Sequence, residues 1–246
     1  MPSVTHEIDP FADTIIVLKR PCRNFAPWNE ALTLYNTDLA EPEEEQPICT
    51  KISEEGRAEP AFELTKSEDD DIHYLVSSRH LMLASPWFRR TLTREEYIEA
   101  SKDPSDGRYH IPASDWDEEA LLILLNIFHV RTRRIPATVS LEMLAKIAVL
   151  VDYYELEDAE VMERDVRDWI AQLRCNIPVP SFYCRDLMLW ICISRTFHMS
   201  EEFEKVTALA IKGSEGWIQT LDLPINEAII GTLLDYFDRT KIADTH

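Results

Sequence analysis

The stretch from Tyr74 to Leu92, YLVSSRHLMLASPWFRRTL, changes its hydrophobic period partway along, and that change limits the folds open to the whole chain. Tyr74, Leu75 and Val76 follow the charged run Glu68 to Asp71 and read as a strand, whereas Leu81, Ser85, Phe88 and Leu92 recur at helical spacing. A strand that feeds straight into a buried helix calls for an α+β layout in which sheet and helices share one core. Pro86 removes a backbone donor inside the helical pattern, so the helix is expected to break and restart there, with Ser85 capping the second piece.

Ahead of this stretch, residues 1–12 read as a short polar tail and Asp13 to Lys19 (DTIIVLK) as the first strand. Phe25, Trp28, Leu32 and Leu34 mark a segment that packs back on the domain. Over residues 38–60 the acids Asp38, Glu41, Glu43, Glu44, Glu45, Glu54, Glu55 and Glu59 face only Lys51 and Arg57. Such a segment holds too little apolar surface to offset its ordering entropy, so it reads as a flexible acidic insertion, either a solvated loop or a docking peptide. Phe62 to Thr65 resume as a strand, and Glu68 to Asp71 (EDDD) form a hairpin turn without the spacing or the glycine of a calcium loop.

Beyond the central stretch, Asp106-Gly107 is a turn signal and Tyr109 to Pro112 a short strand. Ser114 or Asp115 is expected to cap a helix in which Leu121, Leu122, Leu124, Leu125, Ile127 and Phe128 leave little polar surface, which makes it central. Arg131, Arg133 and Arg134 follow it. One arginine at a helix C-terminus is explained by the dipole; three invite pairing with the chain's own acids or a pocket for an acidic peptide. Ser140 caps a further helix (Leu141, Leu144, Ala145, Ala148, Val151), and after a break near residues 155–158 Met162, Val166, Trp169, Ile170 and Leu173 make its partner. The prolines of residues 176–180 mark the boundary to a C-terminal helical extension, residues 176–246, with apolar faces over residues 186–197, 203–211 and 229–237.

Leu81 followed by Ser85-Pro86-x-Phe88 resembles the central signature of BTB/POZ domains, and the order strand, helix, strand, helix, helical pair is similar to their layout over residues 13–175. The text LEMLAKIAVLVDYYELEDAE, with Trp169-Ile170 behind it, Val76 to Leu81, and His129-Val130-Arg131 before Ile135-Pro136 resemble the fungal branch of that family. The resemblance implies a small mixed sheet flanked by a cluster of helices and a protein-binding role, as a scaffold or regulatory adaptor. Animal members dimerise by swapping an N-terminal helix, for which twelve residues containing Pro2 and Pro10 leave little room, so a homodimer stays open but not by that usual route. In members that serve cullin ubiquitin ligases, a hydrophobic-x-Glu triplet follows the signature helix and inserts into a cullin groove; Tyr97, Ile98 and Glu99 occupy the corresponding place. By the residues alone that triplet reads as an ordinary loop anchor. A transcription-associated regulator is the third class, with no zinc finger or basic helix to support it.

The exclusions rest on composition. With 45 acidic against 25 basic residues and a net charge of -20, the chain repels nucleic-acid phosphates and anionic membrane surfaces. Five cysteines in unrelated contexts, with no C-x-x-C pair, point to neither a disulfide framework nor a zinc site and imply a reducing, intracellular compartment, cytoplasmic or nuclear. No secretory leader or apolar run of membrane-spanning length is present. Phosphate loop, G-x-S-x-G elbow and H-E-x-x-H pair are all missing, and the seven histidines show no ligand spacing, so no catalytic, cofactor or metal residues are assigned.

Overall fold

The structure is a computed structural model that describes residues 4–29, 71–156, 160–176, 179–213 and 218–225. The acidic insertion 38–60, the strand expected at Phe62 to Thr65, nearly all of the EDDD run and the helix face expected at residues 229–237 lie outside the described residues. The elements below belong to one compact unit, residues 1–28 and 69–246.

Four strands make a mixed sheet: β1 (Thr5–Glu7), β2 (Thr14–Lys19), β3 (Ile72–Val76) and β4 (Tyr109–Ser114), in the order β1-β3-β2-β4. β2 and β3 are antiparallel, with Ile16 opposite Tyr74, while β1 lies parallel to β3 and β4 parallel to β2. Alternation in β3 sends Ile72, Tyr74 and Val76 to the core. β1 corrects the expectation of a polar tail: three residues pair with β3, Ile8 beyond them is fully buried, and the His6 ring stacks on Tyr74 at 5.1 Å. Pro112 is tolerated in β4 because the amides of Tyr109 and Asp115 point to β2, which turns the even positions, and so the missing donor, to the edge away from β2.

Among the described residues seven α-helices follow: α1 (Ser78–Ala84), α2 (Pro86–Thr93), α3 (Glu118–Phe128), α4 (Leu141–Tyr153), α5 (Glu160–Asn176), α6 (Arg185–Thr196) and α7 (Ser200–Gly213). The protein is thus α+β, a small mixed sheet with a helical cluster. Pro86 occupies the first turn of α2, where its lack of a donor is harmless, and Ser85 Oγ accepts from the Phe88 amide at 3.2 Å. α3 is capped by Asp117, which accepts from the Ala120 amide at 2.9 Å, and not by Ser114 or Asp115. Asp115 instead takes a left-handed φ of 64° as the chain leaves β4. Ser140 caps α4 as expected, accepting from the Met143 amide at 3.1 Å.

α1 has no side-chain cap of its own. Asp13 supplies one from the start of β2, its two oxygens accepting from the Ser78 amide at 2.7 Å and the Ser78 hydroxyl at 2.6 Å. Burial alone would raise the Asp13 carboxyl, but its hydrogen bonds, chiefly those from Ser78 with Thr14 adding to them, together outweigh it and hold the group below the usual carboxylate range.

The core crosses residue 176 without a break. Every residue of α6 from Leu187 to Ser194 is buried, because α6 packs against both α4 and α7. Charges bind the same junction: Asp117 pairs with Lys146 at 2.9 Å, Lys146 with Glu142 at 2.9 Å, and Glu142 with Arg185 at 2.7 Å. Arg185 also donates to the carbonyls of Phe25 and Ala26, fixing the segment after β2.

Candidate interaction surfaces

The signature residues are structural. Leu81, Ser85 and Phe88 are fully buried and Pro86 is exposed at the helix start. Ser85 Oγ also donates to the Tyr154 carbonyl at 2.6 Å, and the Phe88 ring stacks on Tyr154 at 4.7 Å. Together these contacts fasten α2 to the end of α4.

The triplet 97–99 lies elsewhere. α2 ends at Arg94, whose backbone turns extended, and a single 3-10 turn over Ile98–Ala100 follows. Three backbone bonds fix it: the Tyr97 amide to Arg94, Ala100 to Tyr97 and Ser101 to Ile98, at 3.0 to 3.1 Å. The loop-anchor reading fails on exposure, since Ile98 is 89% exposed and Tyr97 40%. Glu99 is half-buried, and Glu95 and Glu96, just ahead of the pair in the chain, are exposed. The turn therefore presents two apolar side chains to solvent from a hydrogen-bonded backbone.

Arg131, Arg133 and Arg134 occupy a second turn, at the C-terminal end of α3. The Val130 amide donates to Ile127 and the Arg131 amide to Asn126, each at 2.9 Å, which is a Schellman closure. Its left-handed position holds Val130, at φ 55°, where glycine is usual. Arg133 and Arg134 are exposed and Arg131 half-buried; among the described residues none of the three guanidinium groups has an acidic partner within ion-pair distance. Pairing with the chain's own acids, one of the two expectations for this cluster, is not seen there.

The structure also gathers residues that the sequence kept apart. Ligand atoms of Asp9, His80 and His129 lie within 4.8 Å of one another, from a loop, α1 and the end of α3. His129 Nε2 accepts from the Ser77 amide at 2.9 Å, and Nδ1 lies 2.8 Å from the Leu125 carbonyl, so the neutral ring carries its proton on Nδ1. Both nitrogens are thereby engaged, and no lone pair of His129 is left for a metal ion. Burial, ahead of the neighbouring His80, holds the His129 pKa below its usual value, although the Leu125 bond opposes it. No spacing rule could have found this cluster, because positions 9, 80 and 129 meet only through the sheet and helix packing.

A cavity of about 360 Å³ opens beside the Lys146 pairs, walled by Phe25, Trp116, Val149 and Leu150 with Asp222 at its rim. Ala26, Asp115, Leu221 and Asp222 around it all have positive φ, so backbone turns complete an outline that α4 begins.

No helix among the described residues is long and apolar enough to cross a membrane. No family model matches the chain, and no curated protein is significantly similar to it.

Proposed function

We propose that the chain is a non-enzymatic protein-interaction module of the BTB/POZ type, a scaffold or regulatory adaptor, and that the turn carrying Ile98 is a contact surface. The 89% exposure of Ile98 supports this most directly. Burying an isoleucine is worth about 1.5–3 kcal/mol, and a hydrogen-bonded turn that holds one in water withholds that gain until a partner covers it. Tyr97 beside it adds the kind of aromatic anchor that interfaces favour.

A second reading, adaptor for a cullin-type ubiquitin ligase, is favoured by the order Tyr97-Ile98-Glu99 directly after α2. We assign the protein to a reducing intracellular compartment; Cys22, Cys175, Cys184 and Cys192 are unpaired, and burial pushes the Cys192 thiol up to about 12, where it is inert. The test is affinity purification from native lysate with wild type, Ile98→Glu, and Tyr97→Ala with Glu99→Ala. Partners recovered with wild type and lost with both variants support the contact surface, and a cullin among them selects the adaptor reading. Equal recovery by all three overturns the role of this turn.

A further inference from the structure

We infer that the arginine turn after α3 is a second docking surface, and that its occupant is a short linear peptide of a partner protein in which Asp and Glu side chains flank an apolar residue. This goes beyond the Ile98 surface and does not depend on it.

A helix-capping role does not account for the three arginines. Three of the last four carbonyls of α3 already accept from backbone amides: Leu125 from His129, Asn126 from Arg131 and Ile127 from Val130. The guanidinium groups are not needed there. Nor does general charge balance account for them. The chain has 45 acids for 25 bases, and Arg20, Arg90, Arg174, Arg185 and Arg195 each lie within ion-pair distance of a carboxylate. Three cations within four residues that find no such partner among the described residues, in so acidic a chain, form a concentrated site of positive potential.

The turn is also built to stay in one shape. Its two Schellman bonds are followed by the bond from the Arg134 amide to the Arg131 carbonyl at 2.8 Å, so the three side chains leave a fixed backbone. Val130, 72% exposed, stands beside them as an apolar contact point. Guanidinium forks pair with carboxylates in bidentate fashion, and an apolar side chain of the peptide would cover Val130.

Charge decides among the anionic occupants. A nucleic acid is an extended polyanion and meets the field of the whole chain, at -20, along its length. A short peptide touches only the turn, and with a Debye length of about 8 Å at physiological salt the distant acids are largely screened. Arg133 and Arg134 stand in the open, so they suit carboxylates strung along a backbone better than one compact phosphate enclosed by donors.

Fluorescence anisotropy of the full chain tests this with a labelled synthetic peptide of Asp and Glu around one Leu. The comparison probes are the same peptide with Asn and Gln, a phosphoserine peptide of equal charge and a single-stranded oligonucleotide. The acidic peptide is expected to bind saturably and more weakly as salt rises. Arg133→Glu with Arg134→Glu is expected to weaken it by about tenfold or more, and Ile98→Glu to leave it unchanged. If the charge reversals disturb folding, Arg133→Gln with Arg134→Gln serves instead, with an unshifted thermal midpoint as the control. Equal binding by wild type and the arginine variants overturns the proposal, as does tighter binding of the phosphoserine peptide or the oligonucleotide. Unchanged peptide binding by Ile98→Glu alongside loss of its cellular partners separates this surface from the other.

Discussion

Ser85 Oγ donates to the carbonyl of Tyr154 at 2.6 Å across 69 residues of chain while accepting from the Phe88 amide three residues on. One hydroxyl thus caps α2 and ties it to the end of α4. Ser85→Ala removes both bonds and leaves a buried carbonyl without this donor. The expected loss is about 1–3 kcal/mol, read as a lower urea midpoint with an unchanged slope.

Phe88 lies against Tyr154 with no exposed surface. Phe88→Ala opens a cavity among Tyr154, Phe128 and Trp87 and is expected to cost about 3–5 kcal/mol, with Phe88→Leu costing less. Chemical denaturation of the two variants checks the order.

The pH dependence of stability carries the signature of His129. Its folded pKa is depressed, chiefly by burial, from the usual 6.5. Below pH 6.5 the unfolded chain takes up a proton that the folded chain refuses, so stability falls as pH drops from there to the folded value. Above that window the group contributes no slope. His129→Gln, which keeps an acceptor for the Ser77 amide, is expected to flatten this part of the profile in urea titrations above and below the window. Asp13 acts in a separate range: its depressed carboxyl contributes stability above its unfolded value of 3.8, lost as pH falls through the lower folded value.

Val130 holds a left-handed backbone that disfavours β-branched residues by about 1–2 kcal/mol. Little of its surface is buried, so Val130→Gly loses almost no packing. A gain of about 0.5–1 kcal/mol is expected, because the relief of strain exceeds the entropy glycine adds to the unfolded chain. A raised thermal midpoint checks it.

Much of this architecture is legible from local chemistry. The Ser85-Pro86 restart, the Ser140 cap and the strand-to-helix switch at Val76 each depend on residues within a few positions of one another. Asp106-Gly107 also turns as expected, with Gly107 at φ 71°. What escapes is decided at long range. The cap of α1 comes from Asp13, and β1 exists only because β3 offers it an edge; no property of residues 5–7 announces a strand. The choice of Asp117 over Ser114 or Asp115 depends on β4 running on to Ser114, past its proline. Outward Ile98 is hidden for the same reason, since an isoleucine in a charged loop reads equally as an anchor or as a contact until its surroundings are placed.

The unbroken burial of α6 bears on how the chain can be divided. A fragment ending near residue 176 would keep the sheet and α1 to α5, yet it would strip the buried helix α6 from the face of α4 and leave Glu142 without Arg185. That face is too apolar to stand in water, so the shortened chain would be held together by aggregation or by a chaperone instead of its own core. The turns that hold Ile98 and Arg131 to Arg134 thus belong to a fold whose core is completed only by α6, beyond residue 176.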